Sequence, residues 1–454
     1  MKKRKLHYPK KQSIAHILYN EKGRMKIVET VHFKEAKLSG TLQVPGDKSI
    51  SHRAVMLGSI AEGKTKITGF LNGEDCLRTI EIFKQLGVKI QTQGTTVEID
   101  SPGIENWSNP TEQLYAGNSG TTARLLLGIL ASSSVQAVLS GDASLSSRPM
   151  DRVTIPLRQM GASILAETEK DLLPLTIKGK SLEAIHYQSP VASAQVKSAI
   201  LFAGLQVGET TTVQEETVSR DHTEQMLRYF GAHMQTEEGI ASIQKGDKLR
   251  GKNVHVPGDI SSAAFFMAAA AMTKGSILTL PNVGLNPTRT GIIDVLQSMG
   301  AGIEILDEST ENGEIAGTIR VTHQEIQGTT IGGALIPRLI DELPVIALLA
   351  TQANGTTIIK DAAELRVKET DRIAAVTNEL TKIGANIEAT PDGMIIHGPT
   401  PLKGGTMDSY GDHRLGMMAG IASLIASEPI TIENPACIDI SYPTFFEDLK
   451  IVAN

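Results

Sequence analysis

An α/β fold of two similar lobes, each built from three repeat units, is what this sequence predicts, and three observations predict it. One is a recurring apolar helix, rich in small residues, that passes through a polar or glycine break into a β-branched strand. SISHRAVMLGSIAEGKTKITG is the first copy and GDHRLGMMAGIASLIASEPITIEN the last, with four between them. Another is an amphipathic helix that closes on a hydrophobic-Gly-small triplet and leads into a strand, as in QLGVKIQT, QMGASILA, YFGAHMQT, SMGAGIEI and KIGANIEA. The third is that VPGDKSISHR near residue 46 returns as VPGDISSAAFF near residue 258, without Lys48, His52 and Arg53. Self-similarity at a period of about 70 residues marks repeated supersecondary units.

Along the chain, residues 1–24 come first, with Lys2, Lys3, Arg4, Lys5, Lys10, Lys11, Lys22 and Arg24 set against Glu21 alone. No apolar core or cleavage site of a signal peptide follows, so the segment reads as a flexible basic tail, with Met25 a candidate first functional residue. Residues 47–256 form the N-terminal lobe. Residues 25–46 and 257–454 form the C-terminal lobe, with 25–45 supplying strands that its truncated last unit lacks. The active site is expected in the cleft between lobes, closing around substrate. Within the units, Gly87, Gly161, Gly231, Gly300 and Gly384 stand where a helix C-cap needs a residue tolerant of positive φ. A solenoid is the alternative, but solenoid periods are about 20–50 residues. Its copies would also not carry different charges.

The chain has 454 residues, room for two or three domains. Its net charge of -6 argues against a nucleic-acid partner, so anion binding must come from local sites. Cys76 and Cys437 lie far apart without metal-ligand spacing, which points away from a disulfide or zinc and towards a reducing cytoplasm. No apolar run reaches the roughly 18 residues of a membrane span. AAFFMAAAAM at 263–272 reads as a buried helix.

The chemistry gathers at the starts of the apolar helices, where unpaired N–H groups and the macrodipole favour anions. Asp47, Lys48, Ser49, His52 and Arg53 open the first; Asn118, Ser119, Gly120 and Thr121 the second; Ser193 and Gln195 the third. Asp341 begins the fifth, and Asp412, His413 and Arg414 the sixth. Asp341 reads either as a cap or as a partly buried general base. Starts of the second helix type add Arg78, Arg148, Arg220, Arg289 and Arg372, whose guanidinium forks suit carboxylates and phosphates. Arg78 and Arg289, taken alone, read as exposed arginines near helix ends, whereas Arg148 and Arg372 stand in the charged strings SRPMDR and RVKETDR. If RVKETDR is helical, Lys368 and Arg372 are i, i+4 neighbours and converge while Glu369 points elsewhere. VPGDKS lacks the spacing of a Walker P-loop, so a nucleotide triphosphate site is not supported.

Taken together, VPGDKSISHRAVML, LYAGNSGTTARLL, SSRPMDR, SAQVKSA, LRVKETDR, YGDHRLGMM and ISYPTFFEDL closely resemble the 5-enolpyruvylshikimate-3-phosphate (EPSP) synthase family, in order from about Met25 to the C-terminus. The resemblance implies an enolpyruvyl transferase-like inside-out α/β barrel of six βαβαββ units. It implies a shikimate-pathway transferase, serving chorismate and aromatic amino-acid biosynthesis, that moves the enolpyruvyl group of phosphoenolpyruvate to the 5-hydroxyl of shikimate 3-phosphate. The implied enzyme is a monomer that uses no metal or organic cofactor and has no membrane partner. By motif, Lys48, Ser49, Arg53, Ser193, Gln195 and Lys368 match contacts to shikimate 3-phosphate, with Lys48 and Gln195 also reaching phosphoenolpyruvate. Gly120, Arg148, Arg372 and Arg414 match the phosphoenolpyruvate clamp. Asp341 matches the proton acceptor, and Glu369 its partner in proton traffic, with Lys48 alongside. GNSGT in place of GNAGT, His222 in place of Tyr, and CIDISYPTFF without a Lys before its Tyr-Pro pair suggest the bacterial branch. These departures bear on sensitivity to glyphosate. The rival readings are a UDP-N-acetylglucosamine enolpyruvyl transferase, against which Cys76 stands in the wrong context, and a non-catalytic anion binder.

Overall fold

A computed structural model describes residues 13–19, 25–33, 36–168 and 170–453. Among these residues the chain divides into two compact units. One comprises Pro45–Pro257 with Thr310–Ile315, and the other the described residues among 13–44, 258–309 and 316–453.

The described residues form six four-stranded sheets, each with the same order. The second sheet shows the pattern. Leu114–Tyr115 runs parallel to Gln136–Ser140, which pairs antiparallel with Leu175–Lys178, and that strand closes a hairpin with Ser163–Ala166. A helix follows the first strand, and the short helix Ala143–Ser146 with the longer Asp151–Gln159 follows the second, a βαβαββ unit with one extra helical turn. Three sheets borrow strands from afar. Asn253–His255 pairs parallel with Glu62–Thr68 and so completes the first sheet with the last strand of its unit. Ser39–Thr41 does the same for Ile277–Gly284. In the sixth, Ile430–Glu433 pairs with Met25–Val31, which pairs in turn with Ser13–Tyr19.

That last pairing revises the expected tail. Residues 13–19 are an edge strand, while the rest of the basic segment lies outside the described residues. The strands that complete the truncated unit are 13–19 and 25–31, and 39–41 serves the fourth sheet instead.

Helices of the first kind form the cores. All of Ile260–Met272 is buried, and so are the eight residues of Leu343–Ala350 and the ten of His413–Ala422. Small side chains allow this: at Gly128 a Cβ would collide with the carbonyl of Ala199 on the neighbouring helix Ala194–Gly204. Five of the six begin at a side-chain cap, where Asp47, Ser119, Ser193, Asp259 and Asp412 accept from a backbone N–H two or three residues further on. The five triplet glycines have φ of 93°, 89°, 97°, 82° and 99° in chain order, the conformation that ends a helix at low cost only for glycine. No helix among the described residues is long and apolar enough to cross a membrane.

Candidate active site

In the unit holding Pro45–Pro257, the helix Lys48–Ile60 presents Lys48, Ser49 and Arg53 from its first two turns. Lys48 Nζ stands 3.3 Å from Asp75 Oδ2, at the start of the next helix, Glu74–Gln85. Arg53 is buried and held by three neutral oxygens, with Nε donating to Thr223 Oγ1 (2.6 Å), Nη1 to the Ser49 carbonyl (3.0 Å) and Nη2 to Ser198 Oγ (3.0 Å). Burial, opposed by Glu224 and Asp47, pulls its pKa down to about 10. It therefore stays charged at neutral pH, with three of its five N–H groups engaged by these oxygens.

Ser198 shares its helix with Gln195, one turn from the cap Ser193. Gln195 links two elements: its Oε1 accepts from Arg124 Nη1 at 2.8 Å, and its Nε2 donates to Thr121 Oγ1 at 3.1 Å. Gly120 opens the helix Gly120–Ala131, and a Cβ there would lie 3.0 Å from Arg124 Nη1 and 3.7 Å from Arg148 Nη1. Arg148 precedes the helix Asp151–Gln159 and is held by Asn118 Oδ1 at 2.7 Å and Ser144 Oγ at 2.9 Å. Beneath Ser193, Lys197 Nζ sits 2.8 Å from both Glu215 and Glu224, all three buried, and Glu215 accepts from the Ser193 N–H. Although burial works hardest against it, the two carboxylates hold the Lys197 ammonium above its ordinary pKa.

The other unit gathers Asp341, Lys368, Glu369, Arg372 and Arg414. Arg372 is 1 % exposed. Its Nε donates to Asp412 Oδ2 (2.7 Å), Nη2 to Glu369 Oε2 (2.7 Å) and Asp412 Oδ1 (3.2 Å), and Nη1 to Asp341 Oδ1 (3.4 Å). Burial opposes the charge most strongly, but Asp412, Glu369 and Asp341 outweigh it and raise the pKa of Arg372. Lys368 Nζ approaches the same Asp341 Oδ1 at 3.7 Å. Asp412 also caps the helix that carries Arg414, accepting from the Arg414 N–H at 2.8 Å. The Arg414 guanidinium donates to the Ser261 carbonyl at 3.2 Å and lies over the Phe265 ring at 5.9 Å.

Four expectations change here. RVKETDR is not one helix. A 3-10 turn ends at Val367, and Asp371 caps a helix that begins only at Arg372, so Lys368 and Arg372 meet through Asp341 rather than through helical spacing. Glu369 does not point elsewhere; it binds Arg372. Arg289 is 2 % exposed and its Nη2 reaches Ser261 Oγ at 2.7 Å and Asp259 Oδ1 at 3.4 Å, so it is an internal strut rather than a surface arginine. Glu342, not Asp341, occupies the cap position of the helix Leu343–Ala350. Asp75, Arg124 and Glu215 are the participants that motif reading passed over.

Comparison with known proteins decides what this arrangement belongs to. The family model described as EPSP synthase (3-phosphoshikimate 1-carboxyvinyltransferase) matches residues 33–449. The chain belongs to the EPSP synthase family. Its relatives include the 3-phosphoshikimate 1-carboxyvinyltransferase of Bacillus licheniformis, 56 % identical over 421 residues, which are 92 % of this chain and 98 % of that protein. The protein of the same description from Oceanobacillus iheyensis is 54 % identical over 415 residues, 91 % of this chain and 97 % of its own. The solved EPSP synthase of Acinetobacter baumannii superposes with a TM-score of 0.85 at 43 % identity, covering 94 % of this chain and 98 % of that one. The enolpyruvyl transferase NikO of Streptomyces tendae, at 18 % identity, a TM-score of 0.75 and coverage of 93 % and 97 %, shares the fold. Membership of the EPSP synthase family makes the chain a carboxyvinyl transferase of the shikimate pathway. Neither the amino-sugar transferase nor the non-catalytic binder is favoured.

Proposed function

We propose that the two groups of side chains act on one substrate pair, phosphoenolpyruvate and shikimate 3-phosphate, so that the enolpyruvyl group passes to the 5-hydroxyl and phosphate leaves. The oxygen of that hydroxyl bonds to the substituted carbon of the enol while a proton goes to its methylene. Loss of phosphate with return of that proton restores the double bond. Such a path needs a base at the hydroxyl, an acid and base at the methylene, and fixed cations for carboxylate and phosphate. Asp341 takes the hydroxyl proton; Glu369 and Lys48 serve the methylene. Gly120, Arg148, Arg372 and Arg414 hold phosphoenolpyruvate, while Lys48, Ser49, Arg53, Ser193, Gln195 and Lys368 hold shikimate 3-phosphate.

The observation that carries this reading is the knot around Arg372, which puts Asp341 and Glu369, two carboxylates with separate proton tasks, on one buried guanidinium. We also place the enzyme in the cytoplasm as a monomer acting on small anions, without nucleic-acid or membrane partners. The net charge of -6 and two free cysteines support that placement. Phosphate release should require both substrates together. Asp341→Asn should abolish release while binding of shikimate 3-phosphate persists. Release that depends on UDP-N-acetylglucosamine, or an active Asp341→Asn variant, would defeat the assignment.

A further inference from the structure

Under the ion pair of Lys48 with Asp75 runs a line of polar side chains that no step of the transfer calls for. His52, Thr79, Thr122 and Ser119 are all 0 % exposed and come from three helices. His52 follows Lys48 by four residues and Thr79 follows Asp75 by four, so each lies one turn below its partner. The two rungs match: Lys48 Nζ to Asp75 Oδ2 at 3.3 Å above, His52 Nδ1 to Thr79 Oγ1 at 2.8 Å below. Thr79 Oγ1 continues to Thr122 Oγ1 at 2.8 Å. Thr122 Oγ1 then donates at 2.7 Å to Ser119 Oγ, the cap that opens the helix of Gly120.

The line has a direction. Each hydroxyl has one proton to give. Thr122 gives its own to Ser119, so it accepts from Thr79 at 2.8 Å, a shorter bond than the 3.4 Å alternative from the Thr79 hydroxyl to the Asp75 carbonyl, and Thr79 then accepts from His52. Only an imidazole protonated at Nδ1 can start the series. The assignment also fits the far side of the ring, where Nε2 is buried without a hydrogen-bond partner among the described residues. An N–H stranded there would cost about 1–3 kcal/mol. Burial, with Lys48 and Arg53 adding to it, lowers the imidazole pKa well below its ordinary value and keeps the ring neutral.

The repeat itself offers an independent check. In the copy at 258, Ile260 stands at the place of Lys48 and Ala264 at that of His52, so the imidazole is absent where the ammonium is absent.

We propose that His52, as its neutral Nδ1–H tautomer, is a positioning residue whose one-way relay holds the starts of three helices in register and so fixes Lys48 relative to the Gly120 backbone. It touches no substrate and acts through Lys48. The kinetic part of this proposal rests on the transferase reading above; the tautomer does not.

Long-range proton-nitrogen NMR of the full-length, nitrogen-15-labelled protein should show His52 with a pyrrole-type Nδ1 and a pyridine-type Nε2. An Nε2–H tautomer or an imidazolium at neutral pH overturns the proposal. In the phosphate-release assay, His52→Leu should lose at least about tenfold in kcat/KM, the scale of a small misplacement of a reacting group. His52→Asn, whose amide N–H reaches roughly the place of Nδ1, should recover to within about threefold. Adding Thr79→Val to His52→Leu should cost little more, because both break the same line. An Asn variant as poor as the Leu variant, or additive losses, refutes the relay. If His52→Leu fails to fold, Thr122→Val interrupts the line at its middle and is read in the same way. Failure of the transferase reading would instead appear as a wild-type protein that releases no phosphate while the tautomer stands.

Discussion

Arg372→Lys keeps the charge and removes the fork, and the surroundings of Arg372 set the cost. The guanidinium serves three carboxylates through four bonds, and an ammonium at one point cannot reach them all. Of the three, the Asp412 side chain is 0 % exposed, whereas Asp341 and Glu369 are 18 % and 25 % exposed and can turn to water. The lysine should therefore stay with Asp412 and lose one of its two bonds there, about 1.5–3 kcal/mol for a hydrogen bond between charged groups. Arg372→Met, which leaves Asp412 buried without its cation, should cost about 3–5 kcal/mol. In thermal unfolding these losses correspond to falls of roughly 2–4 °C per kcal/mol. Activity should fall further than stability, because Asp341 and Glu369 lose their common anchor: about 100-fold or more in kcat for Arg372→Lys, the scale of one preorganised electrostatic contact. A lysine variant that melts with the wild type and retains a third of its activity would refute the view that the fork, rather than the charge, organises the site.

Other perturbations test the remaining supports. Gly120→Ala puts a methyl 3.0 Å from Arg124 Nη1, so that arginine and the Gln195 it holds must shift by a few tenths of an ångström. The KM for phosphoenolpyruvate should rise about tenfold with a smaller change in kcat, as expected when ground-state and transition-state binding weaken together. Asp75→Asn takes the charge from the partner of Lys48 at little cost in volume, and kcat/KM should drop while unfolding stability falls by about 1.5–3 kcal/mol, Asp75 being buried and its bond to Lys48 made between charged groups. The hydrogen bond to Glu379, with burial, pushes the pKa of Tyr410 up to about 12. The folded state then binds more protons than the unfolded one between the ordinary value near 10 and about 12, so this contribution is intact below pH 10 and is lost as pH climbs through that window. Tyr410→Phe should flatten the alkaline limb of a denaturant-stability profile, and an unchanged limb would exclude the linkage.

The repeat architecture was legible because its signals are local. A hydrophobic-Gly-small triplet and a capping Asp or Ser each report a helix boundary within four residues, and the positive φ of Gly87, Gly161, Gly231, Gly300 and Gly384 is the backbone counterpart of that pattern. The strand at Ser13–Tyr19 escaped because SIAHILY lies inside a stretch dominated by lysine and arginine, and its pairing partner in the next strand lies beyond the boundary drawn at residue 24. RVKETDR misled for a related reason. The charges invited a helical reading, whereas Asp371 followed by Arg372, Ile373 and Ala374 is the start signal that would have placed the boundary correctly.

The site was half legible. Anion chemistry demands lysine and arginine near helix starts, and those stand out; of the acids that hold them Glu369 is a near neighbour in sequence, whereas Asp75, Asp341 and Asp412 lie 27, 31 and 40 residues from the cations they bind. Yet the acids are what separate two kinds of cation. Arg289 and Arg372 are neutralised by buried carboxylates, Asp259 and Asp412, and so carry architecture as well as any ligand. Arg53, Arg148 and Arg414 are held in place by neutral oxygens, from Thr223 and Ser198, Asn118 and Ser144, and the Ser261 carbonyl. A guanidinium fixed by neutral acceptors keeps its net charge available, and in a low-dielectric setting that charge acts strongly on an incoming anion. The net charge of -6 is therefore no measure of what a phosphate meets, since buried acids pair directly with Arg289 and Arg372 while the hydrogen bonds that hold Arg53, Arg148 and Arg414 go to neutral oxygens.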